Sequence, residues 1–221
     1  MSVLSSGIYW EDENCAGAER PEAAAMGSKK EKVIGILAVQ GDFAMHAAML
    51  DRIGVPWKLV KHVEDFEGID ALILPGGETT TMLKFLTERK LGDAIKAFAS
   101  DNKPVFGTCA GAILMASEVL NPEQENLRLM DISIERNAYG RQIDSSIQQG
   151  ECSEVSDEPI EMVFIRAPII RRVGSGVKVL GRSQGLPVLV EQGKLLAATF
   201  HPELTEDETI HRYFLEKTKD C

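Results

Sequence analysis

Cysteine is scarce in this chain of 221 residues and never closely paired. Cys15, Cys109, Cys152 and Cys221 form no Cys-x-x-Cys motif and no evident disulfide framework. That argues against a disulfide-stapled secreted domain and suits a reducing compartment. Basic charge is also in deficit. The 24 Lys and Arg stand against 34 Asp and Glu, and a net charge of -10 is the wrong sign for a nucleic-acid backbone as partner. No apolar run is long enough to span a bilayer. The N-terminus lacks the basic-then-apolar pattern of a signal peptide, and Lys219-Asp220-Cys221 is no prenylation box. The expected location is therefore cytoplasmic, with no membrane partner. His46, His62 and His211 are scattered without the spacing that zinc needs, and 181–185 lacks the lysine of a Walker-type phosphate loop. Neither a metal nor a cofactor is expected.

What is present is the composition of an ordinary globular protein, 44% hydrophobic, in a length that suits one well-packed domain. Residues 1–32 differ from the rest. They are rich in Glu, Ala, Ser and Gly without sustained periodicity, and read as a disordered N-terminal extension. Met26, inside it, could be the true start. A single domain is expected over 33–221. Continuous apolar strands are predicted at 33–39, 57–60, 71–74 and 105–106, and helices at 43–53, 80–89, 93–99 and 112–120. That alternation predicts an α/β, three-layer, doubly wound, mostly parallel and flavodoxin-like sheet. The second half adds strands, expected to be antiparallel, at 130–135, 147–151, 162–165, 177–183, 188–192 and 195–200. Gly193-Lys194 reads as a hairpin turn, and a last helix is predicted over 206–217.

Three segments carry chemistry. Gly107-Thr108-Cys109-Ala110-Gly111 lies between an apolar strand and a helical run, which places a thiol at the apex of a sharp turn. Small neighbours expose the sulfur, and a helix N-terminus favours its thiolate form. A buried core cysteine is the alternative. Phe200-His201-Pro202-Glu203 ends a predicted strand. His201 offers a base, and Glu203, two residues on in an extended segment, projects to the same side to orient it. An incidental charged strand end is the alternative. Leu74-Pro75-Gly76-Gly77-Glu78 closes another strand with backbone able to point N–H donors at a developing oxyanion. It also reads as an ordinary loop before a helix capped from Thr79-Thr80-Thr81.

Together the segments resemble the class I glutamine amidotransferases. Ala38-Val39-Gln40-Gly41, the 74–82 loop, Phe106-Gly107-Thr108-Cys109-Ala110-Gly111, Glu135-Arg136-Asn137-Ala138-Tyr139-Gly140-Arg141-Gln142, Phe164-Ile165-Arg166-Ala167-Pro168 and Phe200-His201-Pro202-Glu203-Leu204-Thr205 are similar to the glutaminase-subunit family of pyridoxal 5′-phosphate synthases. The resemblance runs from about Val33 to the C-terminus. It departs at Thr79, where the family usually has Ser, and at Met45, where a Glu often precedes the histidine. It implies a Cys109–His201–Glu203 triad hydrolysing L-glutamine to glutamate and ammonia, with Gly77 and Ala110 giving the oxyanion donors. It implies glutamine binding by Gly77, Glu78, Thr79, Arg136, Ile165 and Arg166. It also implies, as partner, a barrel-shaped synthase subunit, and no bound pyridoxal phosphate. From its place at the end of the first strand, at the sheet's carboxyl edge, Gln40 is expected to couple that partner to the oxyanion loop. Another amidotransferase, a silent partner-binding scaffold, and a cysteine peptidase or chaperone of similar fold are the competing readings.

Overall fold

The computed structural model describes residues 31–136 and 145–219. Residues 1–30 of the extension expected over 1–32, the motif residues Asn137 to Gln142, Cys15 and Cys221 lie outside the described residues. The first strand, β1 (Ile34–Leu37), is followed by α1 (Phe43–Ile53), β2 (Trp57–Val60), β3 (Ala71–Leu74), α2 (Thr79–Glu88), α3 (Leu91–Ser100), β4 (Val105–Thr108) and α4 (Ala110–Met115). Then come β5 (Ala116–Leu120), β6 (Met130–Glu135), β7 (Ser145–Gly150), β8 (Ile160–Ile165), β9 (Ile169–Val173), β10 (Lys178–Ser183), β11 (Leu186–Gln192), β12 (Leu195–Ala198) and α5 (Thr209–Glu216).

A seven-stranded sheet runs β10-β11-β12-β4-β3-β1-β2. The strands from β12 to β2 are parallel, and β11 and β10 join antiparallel at one edge. Strand alternation divides the sheet's side chains between two cores. Leu72, Leu74, Val105 and Ala197 face α2, α3 and α4, whereas Ala71, Ile73, Phe106, Leu196 and Ala198 face α1 and α5. All nine are buried, which explains why these strands read as unbroken apolar runs. Full burial of one Leu contributes about 1.5–3 kcal/mol. The three-layer, doubly wound expectation stands, and so does the hairpin at Gly193 between β11 and β12. No helix among the described residues is long and apolar enough to cross a membrane.

One expectation fails and one strand went unpredicted. The helix predicted over 112–120 stops at Met115, and the chain continues as β5, parallel to β6. A short apolar run cannot specify helix or strand by itself. Here pairing with β6 decides, and Ser117 Oγ donates to the Ile132 carbonyl at 2.9 Å. The second miss is β9, which pairs with β6 in a three-stranded sheet, β5-β6-β9. Arg171 and Arg172 break its apolar pattern. They face Glu135 and Asp131 across the pair, so both rows of charge belong to an exposed sheet face. The β7–β8 hairpin is antiparallel as expected.

Candidate active site

The parallel strands deliver their carboxyl ends to one edge, where sites of this fold class assemble. Ala198 stands opposite Thr108 across the β12–β4 ladder, so the residues that leave the two strands emerge side by side. Cys109 turns straight into α4 with φ 45 and ψ -101, a conformation that costs about 1–3 kcal/mol. Its N–H donates to the Ala198 carbonyl at 2.8 Å, which pins the elbow to the sheet. A Cβ on Gly111 would collide with the Leu74 carbonyl, and one on Gly107 would press on the Gly111 backbone at 2.6 Å. Only glycine lets α4 lie this close to β3 and β4. The sulfur is not exposed as the elbow alone implied. Cys109 is only 7% exposed, with Sγ 3.9 Å from the Ile165 carbonyl, because β8 and the segment after it cover the apex.

His201 follows β12 and is buried, its N–H donating to the Val163 carbonyl at 2.8 Å. Its Nδ1 lies 2.8 Å from Glu203 Oε1. The pairing predicted for these two residues is present, but not through an extended backbone. Pro202–Leu204 forms one 3-10 turn, which folds the Glu203 carboxylate back onto the ring. Burial opposes charge on His201, yet contacts with the Cys109 sulfur and with Glu203 push it up to about 10. Burial also opposes charge on Glu203, but His46 and the His201 hydrogen bond hold it below the usual carboxylate range. The site therefore rests with a proton already on the histidine, beside the sulfur.

An open cleft of about 550 Å³ lies over this line of residues. Of the residues singled out from the sequence, Gln40, Gly77, Glu78, Thr79, Cys109, Arg136, Ile165, Arg166 and His201 all line it. Gly76 is packed so closely under His201 that a Cβ there would strike the imidazole. Ala110, the first residue of α4, has no intrahelical partner for its N–H. The Gly77 N–H enters no backbone hydrogen bond among the described residues.

Glu78, rather than the threonines, caps α2, accepting from Thr80 N at 3.0 Å and Thr81 N at 2.7 Å. Partial burial works against its charge, but those hydrogen bonds, Thr81 first, hold its carboxyl at about 2. Its Oε1 also lies 3.7 Å from Arg136 Nη2. Arg136 Nη1 donates to Gln124 Oε1, which accepts from Thr79 Oγ1 at 3.2 Å as well. Arg166 holds a left-handed backbone, φ 44, and forms no ion pair among the described residues.

Residues 36–220 match the SNO glutamine amidotransferase family. The chain belongs to that family. A relative from Solibacter usitatus, named pyridoxal 5′-phosphate synthase subunit PdxT, is 53% identical over 191 residues, covering 84% of this chain and 99% of its own. One of the same name from Thermus thermophilus is 51% identical over 186 residues, covering 83% and 96%. A crystal structure of a glutamine amidotransferase superposes with a TM-score of 0.80 at 48% identity, over 84% of this chain and 98% of that one. The structure of PurLQS from Thermotoga maritima shares the fold alone, with a TM-score of 0.63 at 14% identity, over 86% of this chain and 100% of that one.

Sequence reasoning missed four residues of this family member's site. Asp42 lines the cleft and brings Oδ2 within 3.8 Å of His201 Nδ1. Asp42, His201 and Glu203 could each offer an atom to an ion, all within 4.8 Å of one another, but His201 Nδ1 is already committed to Glu203. Gln124 bridges Thr79 and Arg136 from an irregular loop that carried no motif. His46 and His211, read as scattered, meet behind the triad with His46 Nδ1 3.0 Å from His211 Nε2. Their helical spacing was legible, since both fall on the buried faces of α1 and α5. That the two faces converge was not.

Proposed function

We propose that this chain releases ammonia from the side-chain amide of L-glutamine and hands it to a synthase subunit that makes pyridoxal 5′-phosphate. The observation that carries the reading is the line Cys109–His201–Glu203 at the floor of an open cleft with two cationic residues in its wall. The Cys109 thiolate attacks the amide carbonyl. The N–H groups of Gly77 and Ala110 receive the oxyanion. His201, already protonated, gives its proton to the departing amine, and ammonia leaves with a γ-glutamyl thioester behind it. His201, now neutral, takes a proton from water, which attacks the thioester, and glutamate departs with the thiolate restored. Glu203 keeps the ring oriented and stabilises its charged form.

Arg136 and Arg166 are the candidates for the substrate's α-carboxylate, since a guanidinium is always charged and presents a planar fork of donors. Arg136 is held by Gln124 and Glu78, so its head is pre-positioned at the cleft wall. Arg136→Ala is expected to raise KM for glutamine about 10- to 150-fold, the range of one charge-assisted hydrogen bond. Its melting temperature should move little. An unchanged KM removes Arg136 from substrate binding. The test of the whole reading is glutamate release from glutamine, measured with and without a pyridoxal 5′-phosphate synthase subunit. No release in either case defeats it.

A further inference from the structure

Behind Glu203, on the side away from the cleft, three polar side chains lie where water does not reach. His46 and His211 are 0% exposed, as is Thr108, the last residue of β4. His46 Nε2 lies 3.1 Å from Thr108 Oγ1 and 3.5 Å from Glu203 Oε2. His46 Nδ1 lies 3.0 Å from His211 Nε2. Two buried atoms have no hydrogen-bond partner of their own, Glu203 Oε2 and His211 Nδ1. The triad accounts for Glu203 Oε1 and gives no role to the rest.

The protons on this cluster can be assigned by elimination. Complete burial pushes His46 below its ordinary value, against the attraction of Glu203 and Asp42, and the charge on His201 pushes the same way. Burial likewise holds His211 down at about 3. Both rings are neutral, so each carries one N–H, and a single proton lies between them. Suppose His46 Nδ1 carries it. Then His46 Nε2 accepts from the Thr108 hydroxyl but also turns its lone pair toward the Glu203 carboxylate, and His211 keeps a buried N–H at Nδ1 with no acceptor. Both are unfavourable, and buried orphan donors are the rarer defect in folded proteins. Suppose instead that His211 Nε2 carries it. His211 then donates to His46 Nδ1, His46 Nε2–H donates to Thr108 Oγ1 at 3.1 Å with Glu203 Oε2 only 3.5 Å away, and the atoms left without a hydrogen bond, His211 Nδ1 and Glu203 Oε2, are both acceptors. The second arrangement leaves no buried donor orphaned and turns an N–H, not a lone pair, toward the Glu203 carboxylate.

We propose that His46 and His211 are positioning residues of the triad. His211 fixes the tautomer of His46, and the His46 Nε2–H, bonded to Thr108 Oγ1, presents its positive end 3.5 Å from the second oxygen of Glu203, so that the first stays on His201. A carboxylate free to turn about its last bond would share its charge between the two sides. With a donor behind it, the carboxylate remains ionised in an apolar setting and keeps His201 protonated and correctly aimed. Three elements meet here, α1 through His46, α5 through His211 and the β4 end through Thr108. The groups facing His46 are Glu203 and His201 from beyond β12, Asp42 ahead of α1, Thr108 and His211. This inference rests on the glutaminase reading for its kinetic consequence, but its geometry can be tested without turnover.

The experiment compares His46→Leu, His46→Gln and His211→Phe in the full chain. One readout is kcat/KM for glutamine against pH with the synthase subunit present. The other is the titration midpoint of His201, followed by NMR of histidine-labelled enzyme without substrate. His46→Leu removes the donor. It is expected to lower kcat/KM on the order of tenfold or more, to move the acid limb of the profile to higher pH as Glu203 becomes easier to protonate, and to lower the His201 midpoint. His46→Gln, whose amide reaches the place of Nε2–H, is expected to restore most of both readouts. His211→Phe keeps the volume, frees the His46 tautomer and should give an intermediate loss. Equal kcat/KM and equal His201 midpoints in the Leu and Gln variants, with both folded, reduce His46 to a space-filler and overturn the proposal. If the Leu variant does not fold, an unchanged His201 midpoint in His211→Phe overturns it instead. If the wild type releases no glutamate, the glutaminase reading fails, and the midpoints alone decide the relay.

Discussion

Cys109→Ser is expected to abolish glutamate release, by about 10⁴-fold or more, while the protein stays folded. The sulfur sits at a strained turn of the carboxyl edge, at φ 45, beside a histidine that burial would keep neutral but the site keeps charged. A serine hydroxyl is intrinsically a far weaker acid than a thiol and a poorer nucleophile at neutral pH. The fold should tolerate the change. Oxygen is smaller than sulfur, the backbone bond from Cys109 N to Ala198 O is untouched, and the glycines that set the elbow remain. Chemical labelling provides a second check. A glutamine analogue bearing a diazo-ketone should modify Cys109 and spare Cys152. The latter is 1% exposed, and burial raises its thiol to about 11, so at neutral pH it carries no thiolate to react. Label on Cys152, or a Ser variant with full turnover, sinks the assignment of the nucleophile.

The parts of this molecule that could be read from the sequence are those with a local cause. A short run of apolar and small residues reads as a buried strand, and β1, β3, β4 and β12 all obey that rule. The elbow at Cys109 was legible because Gly107 and Gly111 are demanded by contacts within a few residues of it and by the strand beside it. The misreadings share the opposite property. Whether 116–120 is helix or strand is decided by β6, which begins at Met130, and no feature of Ala116–Leu120 announces it. The burial of Cys109 is set by Ile165, 56 residues away. His46 and His211 are 165 residues apart, and Gln124 reaches Arg136 from a loop with no periodicity at all. Even the Glu203 contact was right for the wrong backbone. An extended segment and a 3-10 turn both bring the carboxylate to His201, so the spacing could name the partner and not the path.

With the synthase subunit bound, kcat for glutamine is expected to rise about 10²–10³-fold over the isolated chain, with a smaller change in KM, which is the size of one oxyanion donor. Hydrolysis without an acceptor wastes ammonia, so a coupled glutaminase gains from being slow alone. The loop that would supply the donor is built to be adjustable. A peptide between Gly76 and Gly77 can rotate at low cost, swinging an N–H toward the oxyanion or away. What holds that loop is the segment just after β1. Gln40 Oε1 accepts from Glu78 N at 2.8 Å and lies against Gly77, while Asp42 N donates to the Gly76 carbonyl at 3.1 Å. Those same residues lead directly into α1, where Met45 is 42% exposed. A partner that grips α1 therefore pulls on Gln40, and Gln40 on the Gly76–Gly77 peptide. Gln40→Ala is expected to cut the activated kcat toward the isolated value while leaving affinity for the synthase subunit within a few-fold. Stopped assays with saturating partner separate rate from binding. Equal kcat with and without partner would refute the switch, and full activation in Gln40→Ala would move the coupling to another route across the α1 end.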